Sequence, residues 1–230
     1  MVTKKYVYSR NKAQEIIKKG YVKINENIVK KPSFFVKEGD KVIVENFEDY
    51  VSRAAYKLKN YLEKHELDFK GKSVLDIGSS TGGFTQVSLQ KGAKKVVCVD
   101  VGTNQLHESL RGEKRIELFE NTDIRDFEYP YKFDVIVSDV SFISLIKILN
   151  KIDELSKNEI ILLFKPQFEV GKNVKRDKRG VVLDNKAIEK TKENFENECK
   201  KLGWKSVRCE ESSIKGKEGN TEFIYHFRKV

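Results

Sequence analysis

The chain has 230 residues, a formal net charge of +10 and three cysteines. This length allows one large domain and a small one, and the excess of lysine and arginine predicts an acidic partner such as nucleic acid. No apolar run approaches the ~18 residues that cross a bilayer, and the N-terminal residues lack the apolar core of a signal peptide, so we expect no membrane partner. The cysteines form no C-x-x-C pair and only three histidines are present, which argues against a disulfide framework and a metal site and favours the cytoplasm.

Residues 1–46 are predicted to form a small α+β domain. Ala13, Ile16 and Ile17 have helical spacing, and Gly20 ends that helix. Short strands are expected over 21–25, 28–29 and 42–44. Residues 47–52 are predicted to be a linker to a second domain over 53–230.

Lysine and arginine outnumber the acids of this small domain, a composition typical of nucleic-acid-binding surfaces. The alternative is a solvated basic face without a partner. We expect RNA phosphates to be contacted by Arg10, Lys12, Lys18, Lys19, Lys23 and Lys31.

A helix is predicted to begin after Ser52, with Ala55, Leu58 and Leu62 on its apolar face. Its first residue, Arg53, joins the predicted RNA contacts. Lys57 has the ordinary interpretation of a surface lysine, but it lies just before the glycine-rich stretch that organises the rest of the chain.

That stretch covers residues 73–85, where Asp76 and Gly78 are followed by paired glycines at 82 and 83. The apolar run over 74–77 predicts a strand buried on both faces, and a helix can begin at Phe84. A strand, a glycine turn and a helix form a cradle for a nucleotide or nucleoside in an open α/β sheet.

The spacing excludes two phosphate-binding motifs. Phe84 occupies the lysine position of a P-loop, and Ser80 replaces the second glycine of the dinucleotide fingerprint. Asp100 follows the next apolar run, roughly 20 residues beyond, where a carboxylate accepts from a ribose diol. We infer S-adenosylmethionine (SAM), which has a ribose and an adenine but no phosphate. The alternative is a glycine turn that binds nothing.

Three further strands are predicted over 116–119, 133–138 and 160–164, with helices over 104–110 and 142–155. Acids and a lysine come at or beyond the ends of these strands, where open α/β sheets place their chemistry. Asp123 is expected near the adenine amino group. The cofactor contacts expected from all these segments are Asp76, Gly78, Ser79, Gly82, Gly83, Phe84, Asp100, Asp123 and Asp139.

The C-terminal region is predicted to complete the sheet with an antiparallel edge, through a helix over 187–202 and strands over 207–209 and 221–227. The fold expected is therefore a Rossmann-like, doubly wound α/β sheet, mostly parallel. The basic run before that helix is either a solvated loop or a loop that grips phosphate through Lys172, Lys175, Arg176, Lys178 and Arg179.

Segments of the small domain resemble the αL-type RNA-binding module of a small-subunit ribosomal protein, tyrosyl-tRNA synthetases and pseudouridine synthases. The resemblance is carried by S-R-x-x-A-x-x-I at 9–16, G-Y-V-K-I-N at 20–25, K-P-S at 31–33 and G-D at 39–40. The module usually opens with another apolar helix, and only about eight residues precede Ser9 here.

The larger domain resembles FtsJ-type ribose 2′-O-methyltransferases at 52–58 and 76–84. The segments 137–144, 165–172 and 219–222 are similar to those of the TlyA family, named variously as rRNA methyltransferases or hemolysins, which joins an αL module to an FtsJ-like domain. The resemblance implies SAM-dependent methylation of a cytidine 2′-hydroxyl, with rRNA or a ribosomal subunit as partner. It also implies a catalytic tetrad of Lys57, Asp139, Lys165 and Glu222.

The tetrad is chemically reasonable for this reaction. A ribose hydroxyl is a weak nucleophile at neutral pH and needs a base aligned with the methyl group. Lys165 can serve in its neutral form, which a second cation at Lys57 and removal from water both favour. The two acids oppose that effect, so we expect them to orient the lysines and balance charge. The alternative is a set of ordinary salt bridges.

Two other functions compete with methyl transfer as interpretations of the sequence. One is a non-enzymatic RNA-binding ribosome-assembly factor that kept the fold. The other is a hemolysin, for which the sequence offers neither a secretion signal nor a spanning segment.

Overall fold

The computed structural model describes Val7, residues 10–45 and residues 50–229, and the chain divides into two compact units, Met1–Asp49 and Tyr50–Val230. The predicted cap Ser9, the side chain of Lys12 and residues 47–49 of the predicted linker lie outside the described residues. No helix among the described residues has both the length and the apolar character needed to cross a membrane.

The small unit is one helix on a three-stranded antiparallel sheet. Its elements are α1 (Arg10–Lys18), β1 (Val22–Ile24), β2 (Asn27–Ile28) and β3 (Val42–Val44), with strand order β2-β1-β3. The apolar stripe of α1 packs Ala13 and Ile16 against Val7 and Val22. The turn between β1 and β2 places Asn25 at a φ of 48°, a left-handed conformation that Asn tolerates better than most residues.

The larger unit contains a seven-stranded sheet with the order β6-β5-β4-β7-β8-β10-β9. Strands β4 to β8 are parallel, and β10 lies antiparallel between β8 and β9. The strands are β4 (Ser73–Ile77), β5 (Lys95–Val99), β6 (Ile116–Phe119), β7 (Phe133–Ser138), β8 (Ser156–Phe164), β9 (Trp204–Glu211) and β10 (Phe223–Lys229). The helices are α2 (Arg53–Lys64), α3 (Gly83–Gln90), α4 (Glu108–Arg111), α5 (Leu149–Leu155), α6 (Pro166–Glu169) and α7 (Asn185–Lys201).

Helices cover both faces of this sheet, which explains why β4 is buried along its whole length. Side chains alternate along the strand, so Val74 packs with α2 and α3 while Leu75 and Ile77 pack with α5 and α7. The two apolar layers hold the carboxyl ends of the parallel strands at one edge.

The order of the strands creates a crevice at that edge. The chain passes from β4 outward through β5 to β6, then returns to place β7 on the other side of β4. Open α/β sheets bind ligands where the strand order reverses in this way, outside the carboxyl ends of the strands.

Two predicted helices differ from the sequence-based expectation. The helix expected over 104–110 is only Glu108–Arg111, and the one expected over 142–155 begins as a 3₁₀ turn at Leu145–Ile148 before α5. Asn104 and Phe142 have φ values of 55° and 66°, and such left-handed residues do not continue a right-handed helix.

Residues 50–52, predicted to belong to the linker, are part of the larger unit. The Tyr50 ring is buried and lies 4.9 Å from the Tyr56 ring, edge to face. The N–H of Val51 donates to Gln86 Oε1 at 2.9 Å. These contacts fasten the segment to α2 and α3 before the first turn of α2 begins.

Candidate active site at the carboxyl edge of the larger sheet

The turn after β4 requires glycine at position 78. Its φ is 75°, and a Cβ there would meet Val140 atoms at 3.0 to 3.3 Å. The Gly78 N–H donates to Val99 O at 2.8 Å, which ties the turn to the end of β5. A side chain at this position would therefore push apart the loops that follow β4 and β7.

The paired glycines allow close packing around the same turn. Gly82 has a φ of 91°, and a Cβ there would overlap the Leu106 and Leu110 side chains. A Cβ on Gly83 would overlap the Ser52 hydroxyl at the start of α2. Gly82 thus serves the packing of the turn and does not line the cavities described below, which differs from its predicted cofactor contact.

Asp76 also differs from its predicted position. Its side chain is fully buried on the α3 face of β4, and the Thr85 hydroxyl donates to its Oδ2 at 2.6 Å. Side chains alternate between the two faces of a strand, so Asp76, two residues after Val74, lies on the same face, against α3. Burial raises the pKa of Asp76 to about 7. Asp76 anchors the first turn of α3 from beneath and does not line either cavity.

A cavity of about 910 Å³ opens beyond the ends of β4, β5, β6 and β7. Asp100 lies on its wall, and its carboxylate accepts from the N–H groups of Ser80 at 2.8 Å and Gly102 at 2.7 Å. Asp123 lies on the same wall, paired with Arg125 at 2.6 Å, and the hydrogen bonds from Arg125 lower its pKa. Asp100 has acceptor capacity beyond its two bonds, whereas both oxygens of Asp123 already accept from the backbone N–H and guanidinium of Arg125. The Asp100 carboxylate therefore offers a hydrogen-bond acceptor to a space large enough for a nucleoside.

Two buried ion pairs lie beside that turn. Lys165 Nζ lies 2.6 Å from Asp139 Oδ1, with the two side chains 9% and 12% exposed. Lys57 Nζ lies 2.6 Å from Glu222 Oε2, with side chains 9% and 3% exposed. Removing these four groups from water is costly unless each charge keeps its partner, so within each pair either residue depends on the other.

The register of β8 and β10 brings the two pairs together. Phe164 is opposite Phe223 in the antiparallel ladder, so Lys165 and Glu222 occupy neighbouring positions where the two strands end and begin. A smaller cavity of about 160 Å³ is lined by Lys165, Asp139 and Ser141 together with Gly78, Ser79, Gly83 and Phe84. The four predicted tetrad residues thus share one edge of the sheet, with Lys165 and Asp139 next to the glycine turn.

Two polar residues of this site were not singled out from the sequence. The Ser141 hydroxyl accepts from Lys165 Nζ at 2.8 Å, and Gln167 Nε2 donates to Glu222 Oε1 at 3.2 Å. Both lie in segments that carry the family resemblance, within three residues of a tetrad member. Their nearness to tetrad residues in the sequence is the signal that could identify them. Because serine and glutamine are neither acids nor bases at neutral pH, a pattern of acids and bases does not include them.

The predicted RNA contacts are distributed over both units, each described by itself. Within the small unit, Lys19 pairs with Glu15 and Lys23 with Glu45, each at 2.7 Å, so these two cations have acidic partners. Arg53 is exposed at the start of α2. The remaining exposed cations of the predicted set are Arg10, Lys18 and Lys31 in the small unit and Lys172, Lys175, Lys178 and Arg179 in the loop before α7, where Arg179 also lies 3.5 Å from Asp177 Oδ2.

Arg176 is the exception in that loop. Its guanidinium donates through Nη2 to the carbonyl oxygens of Gln167 and Gly171, both at 3.0 Å. The side chain is directed at the protein backbone, because three carbonyl oxygens converge where a planar donor fork fits them. This position differs from the predicted phosphate contact.

Comparison with known proteins identifies both units. Residues 50–229 match the FtsJ-like methyltransferase family and residues 1–42 match the S4 domain. The chain is 50% identical to the 23S rRNA (cytidine-2′-O)-methyltransferase TlyA of Campylobacter jejuni, over 99% of this chain and 97% of that one. It is 36% identical to the 16S/23S rRNA (cytidine-2′-O)-methyltransferase TlyA of Mycobacterium tuberculosis, over 96% and 84%.

A solved structure shows the same likeness in three dimensions. A protein of Lactococcus lactis named as a hemolysin is 40% identical and superposes with a TM-score of 0.73, covering 79% of this chain and 89% of that one.

The buried carboxyl of Asp76 predicts a pH dependence of stability. The folded chain holds a proton on Asp76 up to a pKa of about 7, whereas the ordinary aspartate value is 3.8. The folded state therefore binds more protons than the unfolded state between these values, and stability falls as pH rises through this window. We expect Asp76→Asn to flatten the fall in melting temperature between pH 5 and pH 8, measured by circular dichroism. The exposed Asp68→Asn is the control and should follow the unsubstituted chain; an Asp76→Asn protein with an unflattened fall would contradict the assignment.

Proposed function

The chain belongs to the FtsJ-like methyltransferase family and carries an S4 domain, and on that basis we propose that it transfers a methyl group from SAM to a cytidine 2′-hydroxyl in ribosomal RNA. The observation that carries the proposal is the pair of buried lysine–carboxylate contacts beside the glycine turn. Relatives named for this reaction on 23S and 16S/23S rRNA support the choice of substrate.

The larger cavity fits the nucleoside part of SAM. Asp100 is held by two backbone N–H groups so that its remaining lone pairs face the cavity, where a ribose diol can donate to them. Asp123 and Ile124 line the wall on which we place the adenine, with the Asp123 carboxylate near its amino group and the Ile124 side chain as an apolar surface for its ring. The turn over 78–83 contains no lysine that could contact a phosphate, which is consistent with a ligand that has no phosphate.

SAM, when bound, supplies a methyl group on a positively charged sulfur. The protein must align the ribose oxygen with that methyl carbon and remove the hydroxyl proton. In the structure Lys165 Nζ forms an ion pair with Asp139 Oδ1 at 2.6 Å and donates hydrogen bonds to Ser141 Oγ at 2.8 Å and the Asp139 carbonyl at 3.3 Å. A neutral amine has two N–H donors, so it can keep both hydrogen bonds and still direct its lone pair at the proton of the ribose hydroxyl.

The second ion pair has a supporting role in this proposal. Lys57 and Glu222 neutralise each other at 2.6 Å, and Gln167 holds the other carboxylate oxygen. Glu222 is thereby fixed beside Lys165 without a free charge of its own. Positioning of this kind contributes much of the rate when two reacting atoms must meet in line.

RNA is held, in this proposal, by exposed cations of both units. The small unit contributes Arg10, Lys18 and Lys31, and the loop before α7 contributes Lys172, Lys175, Lys178 and Arg179. Phosphate contacts of this type give affinity that falls with salt and carries no sequence information by itself.

The cofactor assignment is tested by calorimetry with SAM and with NAD. We expect SAM to bind and NAD to give no signal, and we expect Asp100→Ala to weaken SAM binding about tenfold to a hundredfold, because it removes a charged acceptor from the ribose. Asp126→Ala, an exposed acid near the cavity, is the control. NAD binding in the absence of SAM binding would overturn the assignment.

The role of Lys165 is tested by two substitutions. Lys165→Ala should abolish methyl transfer and leave SAM affinity nearly unchanged, because the amine acts on the RNA hydroxyl. Lys165→Arg should fail as well, since a guanidinium stays protonated. Lys157→Ala, near the opposite end of β8, is the control. Near-normal turnover by the Lys165→Ala protein would remove this lysine from the mechanism.

The substrate is tested by mapping 2′-O-methylated nucleotides in rRNA from a deletion strain. We expect one or more cytidine methylations to disappear, to return with the intact gene and to stay absent with the Lys165→Ala gene. An unchanged methylation map, together with SAM binding by the purified protein, would favour the non-enzymatic assembly factor instead.

A further inference from the structure

Residues 175–183 form a closed hairpin, which we call the 175–183 hairpin. An antiparallel bridge joins Arg176 to Val182, the Leu183 N–H donates to Lys175 O at 3.0 Å, and the Asp177 N–H donates to Val181 O at 2.9 Å. The Asp177 carboxylate also accepts from the N–H of Val181, and this hydrogen bond lowers its pKa. The basic run is therefore a structured turn rather than an open loop.

The first link from this hairpin to the tetrad is Arg176. Its Nη2 reaches Gln167 O and Gly171 O, and its Nη1 reaches Gly180 O at 3.5 Å. One guanidinium thus joins α6, the turn after α6 and the tip of the hairpin. The side chain of Gln167 in turn donates to Glu222.

The second link is Asn220, which is only 6% exposed. Its Oδ1 accepts from the Val182 N–H at 3.0 Å, and its carbonyl accepts from the Gly216 N–H at 2.9 Å. Gly216 lies so close that a Cβ there would be 2.6 Å from Glu222 Oε1. The segment 216–222 therefore closes around Glu222 and is fastened to the hairpin through one amide side chain.

We propose that Arg176 and Asn220 are positioning residues, which act through the 175–183 hairpin to hold Gln167 and Glu222 in the geometry that Lys57 and Lys165 require. The inference rests on the proposed function and adds to that function two separate roles for the two faces of the basic hairpin. Arg176 serves the inner face, whereas Lys175, Lys178 and Arg179 are exposed for RNA on the outer face.

The two faces predict different kinetic effects. Arg176→Gln should lower kcat about tenfold to a hundredfold, because a misplaced Glu222 loses the aligned geometry, with KM for rRNA and SAM affinity within about twofold of the unsubstituted chain. Arg176→Lys should behave like Arg176→Gln, since an ammonium keeps the charge but cannot span three carbonyl oxygens. Arg179→Gln should instead raise KM for rRNA and flatten its salt dependence by about one phosphate contact.

Arg115→Gln is the matched control. Arg115 also reaches a backbone carbonyl, that of Leu89 at 3.5 Å, but it lies beside Glu113, whose carboxylate it pairs with at 2.8 Å, and lines neither cavity. Its substitution should leave kcat and KM unchanged. An Arg176→Lys protein with normal kcat, or an Arg176→Gln protein whose KM and salt dependence change as in Arg179→Gln, would overturn the proposal and return Arg176 to the RNA-binding face.

Hydrogen exchange separates this inference from the proposed function, because it needs no methyl transfer. Amide exchange in 166–171 and 216–222 should be faster in Arg176→Gln and in Asn220→Ala than in the unsubstituted chain, and unchanged in Arg115→Gln. If the unsubstituted chain methylates no rRNA but the exchange effect is present, the proposed reaction is wrong and the positioning role of Arg176 and Asn220 is supported. If rRNA is methylated and exchange in both segments is unaltered by either substitution, the positioning role is wrong.

Discussion

The antiparallel insertion of β10 beside β8 is the constraint on which the site depends. In a purely parallel sheet the segment before β10 would lie at the opposite edge, about the length of the strand away from Lys165. Because β10 runs the other way, its first residues meet the last residues of β8, and Phe223 is opposite Phe164. That reversal places Glu222 beside Lys165 and lets Lys57 of α2 complete an ion pair with it.

Burial makes the two ion pairs a weak source of stability. Four charges have been taken out of water, and a buried pair commonly contributes less to stability than apolar residues of the same volume. Each lysine keeps one carboxylate at 2.6 Å, so no charge is left alone. Under the proposed function, this arrangement would serve a reaction that needs a partly dehydrated amine held in one orientation.

The glycine turn and the carboxylates around it have different structural roles. Gly78 brings the turn against Val140, Asp76 anchors α3 beneath it, and Asp100 is directed into the cavity by two backbone N–H groups. The acid in the strand, Asp76, therefore supports the packing of α3, whereas the acid after the next strand, Asp100, lines the larger cavity. The sequence predicts cofactor contacts for both Asp76 and Asp100, although only Asp100 of these two lies on the cavity wall.

The sequence by itself determined the elements and their class. Apolar runs and glycines predicted β4, β7, α7 and the doubly wound sheet, and the resemblance supplied Lys57, Asp139, Lys165 and Glu222. Only the tertiary structure decided which side chains meet, because contacts between segments far apart in the chain depend on strand order and register. It turned Asp76 toward α3, directed Arg176 to Gln167 and Gly171 rather than to solvent, and fastened residues 50–52 to the larger unit. Local pattern records whether a residue is polar or apolar, but a buried carboxylate and an inward arginine have the same local pattern as exposed ones.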